Sequence, residues 1–282
     1  MSEAILKALM HLFALISDIH DDTVITGRER NVVRLFLTRH LNNELVSRYM
    51  KMFEEYLEQF NAERITKGSI KDMKRISLNA VRILAICEKI NEELQQKQKV
   101  YVLVKLMDYI SLGEEITENE LDFLQTVANA FYINEDEYKN IRCFITGTVD
   151  AVPDKKRILF IDNRKEYEQS GFKHICNDNL KGTLSFLQIP STNTYILRYS
   201  GSEDLYLNGQ NISPGETYTF DHGSSIRGSG INPIYYTEVV VLFLMHHLKS
   251  KYPYMPTMSL LNSGIVITVF ITLIFMKSRV SW

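Results

Sequence analysis

The chain has no Gly-Lys dipeptide, so it carries no Walker A loop to cradle the phosphates of a nucleotide. It also lacks His-Glu-x-x-His, Cys-x-x-Cys and Gly-x-Ser-x-Gly, the short signatures of zinc hydrolases, thiol redox centres and serine-nucleophile elbows. Cysteine is scarce. Cys87, Cys143 and Cys176 are odd in number and scattered, which implies neither a disulfide framework nor a zinc ribbon and fits a reducing cytosol. Excess charge is missing as well: a formal net charge of -2 gives no electrostatic footprint for nucleic acid. The N-terminus, MSEAILKALMHLFALISDIHDD, lacks a basic leader and a small-residue cleavage site, and it reads as an amphipathic helix, not a signal peptide. No side chain is expected to be catalytic and no cofactor is implied.

With 282 residues and 45% hydrophobic content, the chain is long enough and apolar enough to bury two cores. The expected class is α+β multidomain: an all-α region over 1–148, a linker at 149–156, a small β-sandwich over 157–236 and a tail over 237–282. In the helical region Ile5, Leu9, Leu12, Phe13 and Ile16 fall at helical spacing. Thr26 with Glu29 forms a Thr-x-x-Glu capping box opening a second helix through Val32, Val33, Phe36 and Leu37. A third helix runs from about Asn43 to Phe60, burying Leu45, Tyr49, Phe53 and Leu57. Lys67-Gly68-Ser69 ends the pattern, and a long helix follows with Ile76, Val81, Ile83, Leu84, Cys87 and Ile90 expected inside.

The opening pattern then returns. LVKLMDYISLGEEITENELDFLQTVANAF mirrors LFALISDIHDDTVITGRERNVVRLFLTRH at a constant offset of about 91 residues, giving two similar units over about 1–60 and 100–148. Ile25-Thr26 matches Ile116-Thr117, Glu29 matches Glu120, and Phe53 matches Phe144. Two such units burying their stripes against one another make a single all-α domain. The repeated apolar helix, acidic loop and Ile-Thr-x-x-Glu resemble the tellurite-resistance TerB-like helical domains. That resemblance implies acidic loop residues as metal candidates: Asp18, Asp21, Asp22 and Glu29, with Asp108, Glu114, Glu115 and Glu120 in the second unit. The residues themselves read more simply, with Glu29 and Glu120 capping helices and the others solvating loops or complementing helix N-termini. Six or more converging oxygens would be needed for a calcium site, and the spacing does not supply them.

In the β region RILFID reads as an alternating strand, followed by SFLQI and TYILRYS. Tyr195, Leu197, Leu205 and Leu207 are the expected core residues. Asn208-Gly209 suits a two-residue hairpin turn, and Pro214-Gly215, Asp221-His222-Gly223 and Gly228-Ser229-Gly230 mark three more turns. Turns so close together leave room for short antiparallel strands. Leu207-Asn208-Gly209, Gly215-Glu216 and Gly223-Ser224-Ser225-Ile226-Arg227-Gly228 resemble the C-terminal half of a forkhead-associated (FHA) domain. The resemblance implies a β-sandwich and a protein- or phosphothreonine-peptide-binding rim. The family's Gly-Arg pair and Ser-x-x-His motif do not occur between Lys155 and Leu207, so Asn208 is the position that carries over. Asn193, Arg198 and Ser202, with Asn208, are the candidate peptide-binding residues.

The tail contains an apolar stretch over 260–276, close to the roughly 17-residue lower limit for a membrane-spanning helix. Read as a weak anchor, it would place the chain at the inner membrane of a bacterium, with the rest cytoplasmic. The arrangement through Leu244 also resembles the N-terminal accessory region of Bacteroidetes-type ABC transporter ATP-binding proteins, in which TerB-like and FHA-like modules precede the nucleotide-binding domain. That resemblance implies a protein partner within a transporter. It also offers a second reading of the tail as out-of-frame sequence that truncates such a protein, in which case the gene's shifted frame beyond Lys251 should encode an ATPase.

Overall fold

The computed structural model describes residues 2–20, 27–38, 41–67, 72–111, 116–165 and 172–251, with side chains left out near some of those ends. Among the described residues seven helices come first: α1 (Glu3–His20), α2 (Gly27–Thr38), α3 (Asn43–Lys67), α4 (Asp72–Glu93), α5 (Gln96–Ser111), α6 (Glu118–Ala130) and α7 (Glu135–Thr146). Nine strands follow: β1 (Ile158–Asp162), β2 (Lys173–Cys176), β3 (Thr183–Ile189), β4 (Thr194–Ser200), β5 (Leu205–Leu207), β6 (Gln210–Asn211), β7 (Thr217–Phe220), β8 (Ser225–Gly228) and β9 (Ile234–Tyr235). A last helix, α8 (Tyr236–Lys251), follows β9 directly. The α+β class with N-terminal helices is therefore present.

The helix starts follow a common spacing. Shifted by about 91, the starts of α1, α2 and α3 fall within two residues of those of α5, α6 and α7. Equivalent helices also pack alike: α1 on α3 and α5 on α7, α2 on α3 and α6 on α7, while α1 and α5 meet across the divide. The reason is the shared apolar stripe. Leu9, Leu12, Phe13 and Ile16 of α1 and Val100, Leu103, Val104 and Met107 of α5 are all essentially inaccessible to solvent. Two such stripes shield more apolar area against each other than either could alone.

The second capping box is formed. Thr117 Oγ1 accepts from the Glu120 amide at 3.3 Å, and Glu120 Oε2 accepts from the Thr117 amide at 2.7 Å and from its hydroxyl at 2.9 Å. Its counterpart at Thr26 and Glu29 lies outside the described residues and side chains. Removing the reciprocal bonds in Thr117→Ala should cost about 1–2 kcal/mol, read as a lower urea midpoint at unchanged slope.

Two sheets follow the helices. Sheet A has the order β2-β1-β3-β4-β7, and sheet B has the order β6-β5-β8-β9. All pairings are antiparallel except β1 with β2, whose parallel register sets Leu159 opposite Lys173. Strand β2 had no clear signal in the sequence. Alternation then sorts sheet A into two faces. Ile158, Phe160, Leu187, Ile189 and Ile196 join the helical core, while Leu159, Ile161, Leu184, Phe186, Leu197 and Tyr199 are buried on the opposite face. Sheet B buries Leu205, Ile226 and Ile234.

Sheet A is thus covered on both sides. That corrects the reading of RILFID as alternating: all five residues of β1, Asp162 included, are buried. The chain passes from α7 to β1 through two short 3-10 turns, Val149–Ala151 and Lys155–Arg157, and residues 1–240 make one compact unit with a core running from helices into sheet A. Among the described residues no helix is long and apolar enough to cross a membrane, and the segment 260–276 lies outside them.

The expected turns are in place. Asn208 and Gly209 have φ of 53° and 85°, the pair of positive values a two-residue hairpin needs, and they join β5 to β6 with Leu207 opposite Gln210.

Candidate functional site

The helix-facing side of sheet A changes character across its width. Over β1 and β3 it is apolar, but the register places Arg198 opposite Thr217 and Ile196 opposite Thr219, so the face becomes polar toward the edge strand β7. Helix α5 lies over this edge. Between them is a cleft of about 600 Å³, whose polar lining includes Lys97, Tyr101, Lys105, Thr194, Thr217 and Thr219. Leu207 and Asn208 of the hairpin close one side. Leu207, expected in the sandwich core, is only half-buried because it lines this cleft; Tyr195, Leu197 and Leu205 are buried as expected.

The floor carries charge. Lys105 is 8% exposed, and its Nζ donates to Asp108 Oδ2 at 2.9 Å and to the Thr217 carbonyl at 2.6 Å. Burial on this scale is tolerated because the ammonium keeps a carboxylate and a carbonyl in contact. Burial pushes the Tyr101 phenol well above its usual range, reinforced by Asp108 and Asp221, so it stays a protonated donor across the physiological range. At the mouth Lys97 Nζ pairs with Asp221 Oδ1 at 2.6 Å. Thr217 Oγ1 is buried and has no hydrogen-bond partner.

The candidate peptide-binding residues do not converge. Asn193 is exposed in the left-handed region (φ 48°) just before β4, and Ser202 is exposed just beyond its other end. The strand between them separates the two by about 20 Å or more. Arg198 is committed inside the fold: its guanidinium donates to the carbonyls of Phe144 at 2.9 Å, Ile145 at 2.7 Å and Gly215 at 2.9 Å. Burial lowers its pKa, with Asp108 opposing that shift. Asn208 is a turn residue whose side chain accepts from the Ser225 amide at 2.9 Å and donates to Ser224 Oγ at 3.2 Å. The rim reading is corrected on Arg198 for a plain reason: its donors fasten the C-terminus of α7, where helix carbonyls have no partner of their own.

The metal candidates fare as follows. Asp108 holds Lys105, and Glu120 caps α6. Asp21, Asp22, Glu114 and Glu115 lie outside the described residues, as do the side chains of Asp18 and Glu29. Among the described residues no three His, Cys, Asp or Glu side chains are grouped to hold a metal. Asp162, buried at the end of β1, is held by Arg164 and His174. Burial opposes its charge, yet hydrogen bonds from Arg164 and His174 outweigh that and keep its pKa below the ordinary carboxylate value.

A second surface departs from what the periodicity of α4 implies. Val81 and Leu84, expected inside α4, are 63% and 51% exposed, while Ile83, Cys87 and Ile90 are buried. With Ala85 and Tyr132 they line a groove of about 670 Å³ between α4 and the α6–α7 corner, rimmed by Glu88 and Glu92. Tyr132 is 80% exposed at φ 56°, an unfavourable backbone conformation for a bulky side chain.

No protein-family model, curated protein or solved structure matches this chain.

Proposed function

We propose that this chain is a noncatalytic docking module, the accessory region of an ABC transporter ATP-binding subunit, acting through protein surfaces. The transporter context comes from the resemblance of the TerB-like and FHA-like segments. The docking role is supported by one observation above others, the α4 groove. Val81, Leu84, Ala85, Glu88 and Glu92 follow one stripe of the helix at three- and four-residue spacing, apolar at one end and acidic at the other. Its occupant is an amphipathic helix that sets Leu or Met on Val81 and Leu84 and a Lys or Arg beside Glu88 and Glu92.

The full chain should bind a synthetic Leu/Lys amphipathic helix with an affinity that falls as salt rises. The double variant Val81→Glu, Leu84→Glu should reduce that binding at least about tenfold, roughly 1.4 kcal/mol. Both positions are exposed, so folding should be unchanged by circular dichroism. Equal binding by the variant, or preference for an acidic helix, rejects the groove as the docking surface. Nucleotide hydrolysis by the purified chain rejects the noncatalytic reading.

A further inference from the structure

We infer that the cleft between α5 and β7 is a binding site for a small carboxylate-bearing molecule, seated on Lys105 Nζ and Thr217 Oγ1. This goes beyond docking and uses a different face of the molecule from the α4 groove.

Three observations carry it. The cleft, at about 600 Å³, has the size of a small-molecule site and mixes an apolar wall of Ile5, Val100, Val104 and Ile196 with a few polar groups. A buried hydroxyl without a partner is costly, and Thr217 Oγ1 is such a group on a residue that lines the cleft and is 1% exposed. The floor holds a buried ammonium: Lys105 Nζ, bonded to Asp108 Oδ2 and to the carbonyl of Thr217 itself. A second ammonium, Lys97, stands at the mouth, paired with Asp221.

An ammonium with a donor to spare beside an unpartnered hydroxyl suits the two oxygens of a carboxylate. Lys105 already spends two donors on Asp108 and the Thr217 carbonyl, so a third N–H and the Thr217 hydroxyl remain for the ligand's two oxygens. Tyr101, protonated and on the same wall, adds a donor toward the mouth. A phosphate dianion would need more: phosphate sites recruit helix N-termini or backbone amides, and this wall is the side of α5 and the face of a sheet. The carboxylate is the better match.

The test is titration of the full chain with acetate, glutamate and malate, with inorganic phosphate and glucose as the comparison ligands. Binding is followed by amide chemical shifts of Lys105, Thr217 and Thr219 and by the thermal midpoint. Carboxylates should shift these amides saturably and raise the midpoint, and phosphate and glucose should do neither. Thr217→Val preserves shape and strand preference, so the variant should fold and be no less stable, yet bind carboxylate at least about tenfold more weakly. Lys105→Met should abolish binding. If no carboxylate shifts these amides, the site is overturned. Unchanged affinity in Thr217→Val overturns it too, because the hydroxyl is then satisfied by water alone. Equal response to phosphate replaces the carboxylate with a general anion site and overturns the ligand class.

Discussion

Arg198→Ala should lower the stability of the whole unit by about 2–4 kcal/mol, because one substitution strips charged donors from three backbone carbonyls. Two of those carbonyls belong to Phe144 and Ile145 in the last turn of α7, where no intrahelical amide reaches them. The third, at Gly215, anchors the turn leading into β7. The guanidinium therefore ties the end of the helical repeat to the sheet, and its positive charge complements the negative end of the helix dipole. Arg198→Lys should recover less than half of the loss, since an ammonium cannot span the same three oxygens as the planar fork. Urea unfolding gives the answer as a shift in midpoint at constant slope. A variant as stable as the parent would release Arg198 from this role and revive the phosphothreonine reading. Titrating the parent with a phosphothreonine peptide then separates the two: with the donors engaged internally, no binding is expected.

Acid should destabilise the protein well above the pH at which its carboxylates titrate, and His11 is the reason. Its ring lies on α1, stacked on Tyr56 at 4.1 Å and beside Phe60 at 5.8 Å between centroids. Burial lowers its pKa to about 4, with the Lys89 charge adding to the effect. In the unfolded chain the value returns to about 6.5, so between these limits the unfolded state binds more protons and stability rises with pH. The stabilisation is complete above about pH 6.5 and is lost as pH falls toward about 4. The loss amounts to about 2–3 kcal/mol after allowing for the ring's partial exposure. His11→Phe keeps the aromatic stack and should flatten the dependence across that window. Parallel curves for variant and parent between pH 4 and 6.5 would show that His11 does not titrate differently on folding.

Both expectations turn on groups whose type was plain in the sequence and whose surroundings were not. Arg198 reads as a surface cation at an alternate position of a strand, available for phosphate. Nothing in TYILRYS says that its face will meet the end of a helix more than fifty residues earlier. His11 sits among apolar residues at helical spacing, but the Tyr56 and Phe60 rings beside it come from α3. The same limit explains Val81 and Leu84. A helix with apolar residues on most of its circumference does not say which side its neighbours will cover, and α4 turns Ile83, Cys87 and Ile90 inward and leaves the other two out.

What the sequence determined unaided is whatever depends on short-range chemistry. Asn208-Gly209 accepts two positive φ values at little cost, so the β5–β6 turn was legible from two letters. Thr117 and Glu120 satisfy each other's orphan amides within one helical turn, so the start of α6 was legible from four. The offset of about 91 residues is legible because the apolar stripe recurs with it, and at that shift the starts of α1, α2 and α3 lie within two residues of those of α5, α6 and α7. Tertiary structure alone decided that the bundle would cover one face of sheet A, which buries β1 on both sides and hides its alternation. It also decided that the polar edge of that face, at Thr217 and Thr219, would lie under Lys105 and Tyr101 of a helix more than a hundred residues away in the chain. Long-range packing is set by the sum of many weak apolar contacts, each nearly indifferent to its partner's identity, so no short motif records it.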